Sequence, residues 1–285
     1  MPSPASATAA FDLRIEPTDI VLGEAEQMLR THLDRATLVR KRRSLGARTD
    51  RDTWVRVERR RFEKIGNQGW NGTECAALLE GVAQPQWRRG AAWRQRDEPV
   101  MWRADETDLL PDAPVGSSVL LADPRLPETW WEALNRSLDA LAAQSTSRVA
   151  TPDTVVITQA GVADAVRRFL RDGVAIEVRQ WQSAHADLNW ANMTGPEFCL
   201  FDWEDWGLAP RGLDAASLWG NSLAVPDLAE RVRHERRQDL ESRDGKLMTL
   251  FVCGKILAPD AHPEDPRLEP ARLMAEQVAA DFQSA

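Results

Sequence analysis

His185-Ala186-Asp187-Leu188-Asn189-Trp190-Ala191-Asn192 is followed, after the turn Gly195-Pro196-Glu197, by Phe198-Cys199-Leu200-Phe201-Asp202-Trp203-Glu204-Asp205. An apolar strand ending in a carboxylate sets Asp202 at the strand's exit, where a cleft can form. The Gly-Pro turn lets the segments on either side pair as a hairpin, which brings the ends carrying Asn192 and Asp202 near each other. Those two residues supply a neutral and an anionic oxygen, the ligand types that Mg²⁺ prefers. Asp187 lies five residues before Asn192, on a loop, free to face an incoming hydroxyl. Phosphoryl transfer needs a carboxylate to orient the nucleophile and take its proton, plus oxygen ligands for a metal that bridges the phosphates.

Working outward, the chain before this segment reads as strands with little helix. Gly23 to Leu33 has helical spacing. Ala36 to Arg43 and Thr53 to Arg60 read as two strands around the polar turn Ser44 to Asp52, with Trp54, Val55 and Val57 as strand formers. Asn71 to Glu80 reads as a short helix stopped by Gly81. Trp87, Trp93 and Trp102 mark further strands. The acidic, Pro-containing run Asp105 to Pro114 reads as a connector. Beyond it, Trp130, Trp131, Leu134, Leu138 and Leu141 recur at helical spacing after Pro127. A second helix is expected over Ala160 to Asp172, then a strand over Val174 to Val178, and mostly helix from Leu213 onward. Strands first and helices second argue for an α+β chain with two lobes.

The quoted segment resembles the kinase catalytic loop, in which an Asp precedes an Asn by five residues and a second Asp follows on the next hairpin. It is closer still to the aminoglycoside phosphotransferase and choline kinase family. That family carries His-Gly-Asp-Leu, four residues, a metal-binding Asn, and later an apolar-Asp-Trp/Phe-Glu/Asp strand. Here the match reads HADLNWAN and LFDWED, with Asp214-Ala215-Ala216-Ser217-Leu218 standing for the family's helix-opening Asp. The specific likeness spans about 35 residues, His185 to Leu218.

The resemblance implies a protein kinase-like fold. It has a small, mainly antiparallel β N-terminal lobe with one helix, at 1–104, a hinge at 105–115, and a larger, mostly helical C-terminal lobe at 116–285. It implies Asp187 as catalytic base, Asn192 and Asp202 as Mg²⁺ ligands, ATP or GTP as co-substrate, and a small molecule bearing a hydroxyl as acceptor. His185 and Asp214 would support the loop. Glu204 would be a second carboxylate near the metal. Ala186 departs from the family's usual Gly. A regulatory protein that binds nucleotide without turnover is the alternative use of the same scaffold.

The nucleotide side calls for a strand cation paired with a helix Glu. Glu74 is the candidate anion. Arg56, in Trp54-Val55-Arg56-Val57, is the favoured cation, and Lys64 is the alternative. The turn Leu45 to Asp52 holds a single glycine and is not a Gly-rich loop. Arg35 to Arg61 gathers 11 Lys and Arg against three acids; in alternating strands this reads as a solvated face with phosphate contacts, and no nucleic-acid partner is expected. Trp190 and Trp206, flanking the chemistry, are candidates to line an acceptor pocket.

The excess negative charge of −8 lies wholly from Gln180 onward. Three widely spaced cysteines, with no CxxC, support neither a disulfide framework nor a zinc site. No apolar run approaches the roughly 20 residues needed to span a bilayer. Met1 to Ala10 lacks a basic, apolar leader pattern and reads as a frayed terminus, so a cytoplasmic location is expected and no membrane partner. The oligomeric state and the acceptor's identity are left open.

Overall fold

A computed structural model of the chain describes residues 12–66, 68–95 and 98–284. The stretch Met1 to Ala10 lies outside the described residues. Chain contacts divide the molecule into two compact units. One comprises residues up to Leu78 together with Pro85–Leu110, the other Leu79–Gln84 with Pro111–Ala285.

The first unit is built on an antiparallel five-stranded sheet. Its strands are β1 (Val39–Arg40), β2 (Ser44–Arg48), β3 (Thr53–Arg61), β4 (Trp87–Arg94) and β5 (Val100–Asp108), in the order β1-β2-β3-β5-β4. Alternation along β3 turns Val55 and Val57 to one face. There they join Trp102 and Ala104 of β5 and the apolar stripe of helix α1 (Asp19–Leu29), which is Val21, Leu22, Ala25 and Leu29. Arg30, in the left-handed region, ends α1. Helix α2 (Gly72–Ala76) follows β3 and is only five residues long.

Three local expectations are corrected here. Residues 35–37 form a 3-10 turn, leaving only Val39–Arg40 as strand. Asp34 caps that turn by accepting from Ala36 N–H, which competes with ladder pairing. Lys64 sits in the 3-10 turn Phe62–Lys64, past the end of β3, not on a strand. The connector expected from Asp105 begins as strand: β5 runs on to Asp108, because Thr53 to Arg56 give Asp108 to Asp105 a full set of ladder partners.

The second unit is mainly helical. It contains α3 (Glu128–Ala142), α4 (Gln159–Arg167), α5 (Leu213–Ser222), α6 (Pro226–Glu235), α7 (Arg237–Leu240), α8 (Arg243–Ile256) and α9 (Leu268–Ser284). A two-stranded ribbon, β6 (Trp181–Ala184) with β7 (Gly207–Pro210), completes it. Trp130, Trp131, Leu134, Leu138 and Leu141 of α3 are buried, as their spacing predicts. Each such side chain contributes about 1.5–3 kcal/mol by leaving water.

Val174 to Val178 does not become a strand. Its polar backbone groups are met by side chains instead. Gln159 Nε2 donates to the Ile176 carbonyl at 2.9 Å, and Val178 N–H donates to Gln159 Oε1 at 2.8 Å. Arg243 donates to the carbonyls of Ala175 and Glu177. With its groups satisfied this way, the segment needs no ladder.

Among the described residues no helix is long and apolar enough to cross a membrane. The three cysteines are free, and burial pushes the thiols of Cys199 and Cys253 up to about 12. Part of the N-terminal basic cluster is engaged within its own unit. Arg59 pairs with Glu16 at 2.7 Å, Arg40 donates to the Leu13 carbonyl at 3.1 Å, and Arg60 lies over the Trp70 ring.

Candidate active site

The loop between β6 and Asn192 hangs from the start of α5. Gly212, at φ +89°, turns the chain into the helix, and a Cβ there would sit 2.6 Å from the Gly245 Cα. Only glycine permits both the backbone conformation and that close approach. The turn delivers Asp214, part-buried, beneath the loop. Its Oδ2 accepts from His185 N–H at 2.7 Å and its Oδ1 from Ala186 N–H at 2.8 Å. The His185 ring, 0 % exposed, packs edge-on against Trp203 and donates from Nε2 to the Phe201 carbonyl at 3.0 Å. A carbonyl can only accept, so the proton is assigned to Nε2.

Asp187 projects from this loop into a ring of amides. Asn192 Nδ2 donates to its Oδ2 at 2.9 Å and to its carbonyl at the same distance. Asn189 Nδ2 donates to its Oδ1 at 3.1 Å and its carbonyl at 3.0 Å, while Asn189 Oδ1 caps the turn Trp190–Asn192 through Ala191 N–H. Because its amide nitrogen is committed to Asp187, Asn192 turns its carbonyl oxygen away from that carboxylate.

The hairpin expected around Gly195-Pro196-Glu197 is present in reduced form, as a single antiparallel bridge between Met193 and Leu200. Thr194 N–H donates to the Cys199 carbonyl and Phe201 N–H to the Asn192 carbonyl, both at 3.0 Å. That register sets Asn192 against Phe201, so Asp202 follows directly, at φ 72°. Asp187 has a raised pKa, with burial the largest cause and the charge of Asp202 adding to it; His185, Asn192 and Asn189 oppose the rise. A carboxylate poised above its usual range is suited to accept a proton.

Asp187, Asn192 and Asp202 are thus brought together within the second unit. Among the described residues no group of three or more His, Cys, Asp and Glu could hold a metal ion. The oxygens at hand are few and hard, which fits Mg²⁺ completed by phosphate and water and does not fit an all-protein cage. Arg56 and Glu74 lie in the first unit. Arg56 pairs with Glu58, and Glu74 meets Arg103 Nη2 at 3.0 Å.

Two residues were missed from sequence. Asn189 hides between the motif positions, although an Asn opening a tight turn is a capping signal. Arg103 sits in the alternation Arg103-Ala104-Asp105, which marks a polar strand face. Trp190 and Trp206 do not line a pocket. Trp190 is 0 % exposed, stacked on Trp130 at 5.8 Å and bonded to Ser222 Oγ at 3.1 Å; Trp206 is buried under Arg148. Indole rings of that size add more stability in the core than a polar loop could offer them at the surface.

Ala186 occupies the position where the family pattern has Gly, and it lies at φ 69°. A Cβ in the left-handed region costs about 1–2 kcal/mol, partly offset by glycine's larger chain entropy. Ala186→Gly should therefore stabilise the protein by about 0.5–1 kcal/mol net, read as a higher urea midpoint at unchanged slope.

The antiparallel five-stranded sheet of the first unit and the helical second unit form an α+β fold of the protein kinase-like kind. The solved structures agree. Aminoglycoside phosphotransferase APH(4)-Ia superposes with a TM-score of 0.54 at 13% identity, covering 94% of this chain and 99% of its own. APH(2")-IIia, solved with GDP and kanamycin, gives 0.55 at 13% identity, covering 94% and 97%. A choline/ethanolamine kinase family protein from Mesorhizobium loti gives 0.51 at 17% identity, covering 94% of each chain. No family model and no curated protein sequence matches the chain.

Proposed function

We propose that this chain is a small-molecule phosphotransferase that moves the γ-phosphate of ATP or GTP to an acceptor hydroxyl. The observation that carries the reading is the amide clamp on Asp187. Asn192 holds the carboxylate at 2.9 Å through nitrogen and keeps its oxygen for another ligand, and the hairpin register puts Asp202 beside it. In this reading Asp187 is the base: it orients the acceptor hydroxyl and takes up its proton as the oxygen attacks. Asn189 and Asn192 fix the direction of the carboxylate. Asp214 and His185 hold the loop without touching substrate. Asn192 Oδ1 and Asp202 would hold Mg²⁺, which when bound offsets the negative charge of the phosphates.

The first unit would bind the nucleotide, with Arg56 on its polar sheet face and Glu74 on helix α2, and the second would carry the chemistry and the acceptor. One structural relative was solved in complex with both GDP and kanamycin. One scaffold serves many acceptors, and antibiotics, amino alcohols and sugars are all within the class. The test is a coupled screen for ADP or GDP release with Mg-ATP and Mg-GTP across these acceptors. Acceptor-dependent, Mg²⁺-dependent release that Asp187→Ala abolishes is expected. Binding of nucleotide with no turnover on any acceptor would instead mark a regulatory protein.

A further inference from the structure

The polar face of the five-stranded sheet holds a buried cation between two carboxylates. Register aligns Arg56, Asp105 and Gly90 in one row across β3, β5 and β4, and Glu58, Arg103 and Ala92 in the next. Arg103 is 9 % exposed. Its Nε meets Asp105 Oδ2 at 2.6 Å and its Nη2 meets Asp105 Oδ1 at 2.6 Å, a two-point fork. The same Nη2 reaches Glu74 Oε2 at 3.0 Å. Trp87 Nε1 fixes Asp105 from the other side at 2.8 Å. The place opposite is kept clear by Gly90, where a Cβ would lie 2.6 Å from Asp105 Oδ1 and 3.0 Å from Arg103 Nη2.

A helix of five residues cannot hold itself in place. The backbone bonds around helix α2 include Cys75 N–H to the Asn71 carbonyl and Ala77 N–H to the Glu74 carbonyl. Glu74 ties it to the sheet through Arg103. Burial opposes the charge on Arg103, yet Asp105 and Glu74 together raise its pKa, so the cation is permanent.

We infer that Arg103 is a positioning residue of the nucleotide side: from β5 it fixes Glu74, and with it α2, against the sheet face that carries Arg56. The inference rests on the phosphotransferase reading. In kinases the helix Glu is met by a lysine of the third strand, which also touches the phosphates. Here the partner is an arginine two strand positions from Asp105, and its fork is already occupied. Arg103 therefore acts as a brace and not as a phosphate contact.

The test uses the full-length protein and two variants. Glu74→Ala leaves the Arg103–Asp105 fork in place but removes the tie. Arg103→Lys keeps the charge but loses the fork. Backbone hydrogen exchange is followed at Cys75, Ala77 and Leu78 of the α2 region, and Mg-ATP binding is followed by calorimetry. In both variants exchange at these amides should quicken about fivefold or more while β3 and β5 amides stay protected, as expected for a partly exposed charged bond. The dissociation constant for Mg-ATP should rise by a similar factor, with KM for the acceptor unchanged. Combining the two changes should add little, because both break one link. Unchanged α2 exchange in both variants would overturn the brace. If α2 loosens while Mg-ATP affinity holds, the role in nucleotide binding is overturned. A wild-type protein that binds no Mg-ATP would overturn the phosphotransferase reading itself, and the exchange data would still decide whether Arg103 pins α2.

Discussion

Asp187→Ala should lower kcat by about 10²–10⁴-fold, the usual contribution of a positioned general base, while leaving the urea midpoint nearly unchanged. The argument is local. The Asp187 carboxylate accepts from Asn189 and Asn192, both within its own loop. Its removal deletes the proton acceptor and leaves two amides that can turn to water. Asn189→Ala should produce a smaller loss in kcat, since one of two clamps on the carboxylate goes. The pH profile offers a second readout. Burial and Asp202 raise the Asp187 pKa, and only the ionised form can take a proton. The acid limb of kcat/KM should thus fall above the ordinary carboxylate range. An Asp187→Ala protein that keeps wild-type turnover would remove Asp187 from the mechanism.

The second large effect is on stability. Asp214→Ala should cost about 2–4 kcal/mol, because two buried N–H groups, of His185 and Ala186, lose their only acceptor, and each orphaned buried donor costs about 1–3 kcal/mol. Relief of the carboxylate's own desolvation keeps the total below the upper sum. Against a typical domain stability of about 5–15 kcal/mol this is severe, and turnover should fall with it as the loop loosens. Urea unfolding of the variant reads the loss directly.

The pH dependence of the same group has a definite sign. Burial is the main cause that raises the folded-state pKa of Asp214 above its ordinary 3.8, against the backbone N–H groups of His185 and Ala186. The folded state therefore holds this proton more tightly than the unfolded chain. Its titration favours the fold at pH values below the ordinary value, and that contribution is lost as pH rises through the elevated one. The stability difference between wild type and Asp214→Asn should accordingly narrow as pH increases across that window. A gap that widens instead would contradict the assignment of burial as the dominant cause.

Much of the candidate site was legible in the chain because its parts are close in sequence. Asp187, Asn192 and Asp202 fall within sixteen positions, and a Gly-Pro turn between apolar runs leaves few ways to connect them. The apolar spacing of α3 and the strand formers of β3 were equally readable, since periodicity records which face meets the core. The failures share a cause as well. Val174 to Val178 has strand composition, but Gln159 and Arg243, distant in sequence, satisfy its backbone. Trp190 and Trp206 sit beside the motif in sequence and point into the core in space. Helix α2 was read as twice its length, because nothing local reveals where a short amphipathic run stops pairing.

The chain by itself determined which oxygen-bearing side chains the loop carries, the hairpin that follows it and the succession of strands before helices. These depend on neighbours a few residues away and on turn residues whose conformations are restricted. Tertiary structure alone decided which cation meets Glu74. Arg56 and Arg103 are both arginines on strands of one sheet, and only the β3–β5 register, with Gly90 making room and Asp105 completing the fork, selects Arg103. Long-range charge pairing is set by packing at the ångström scale, and residue type carries no record of it.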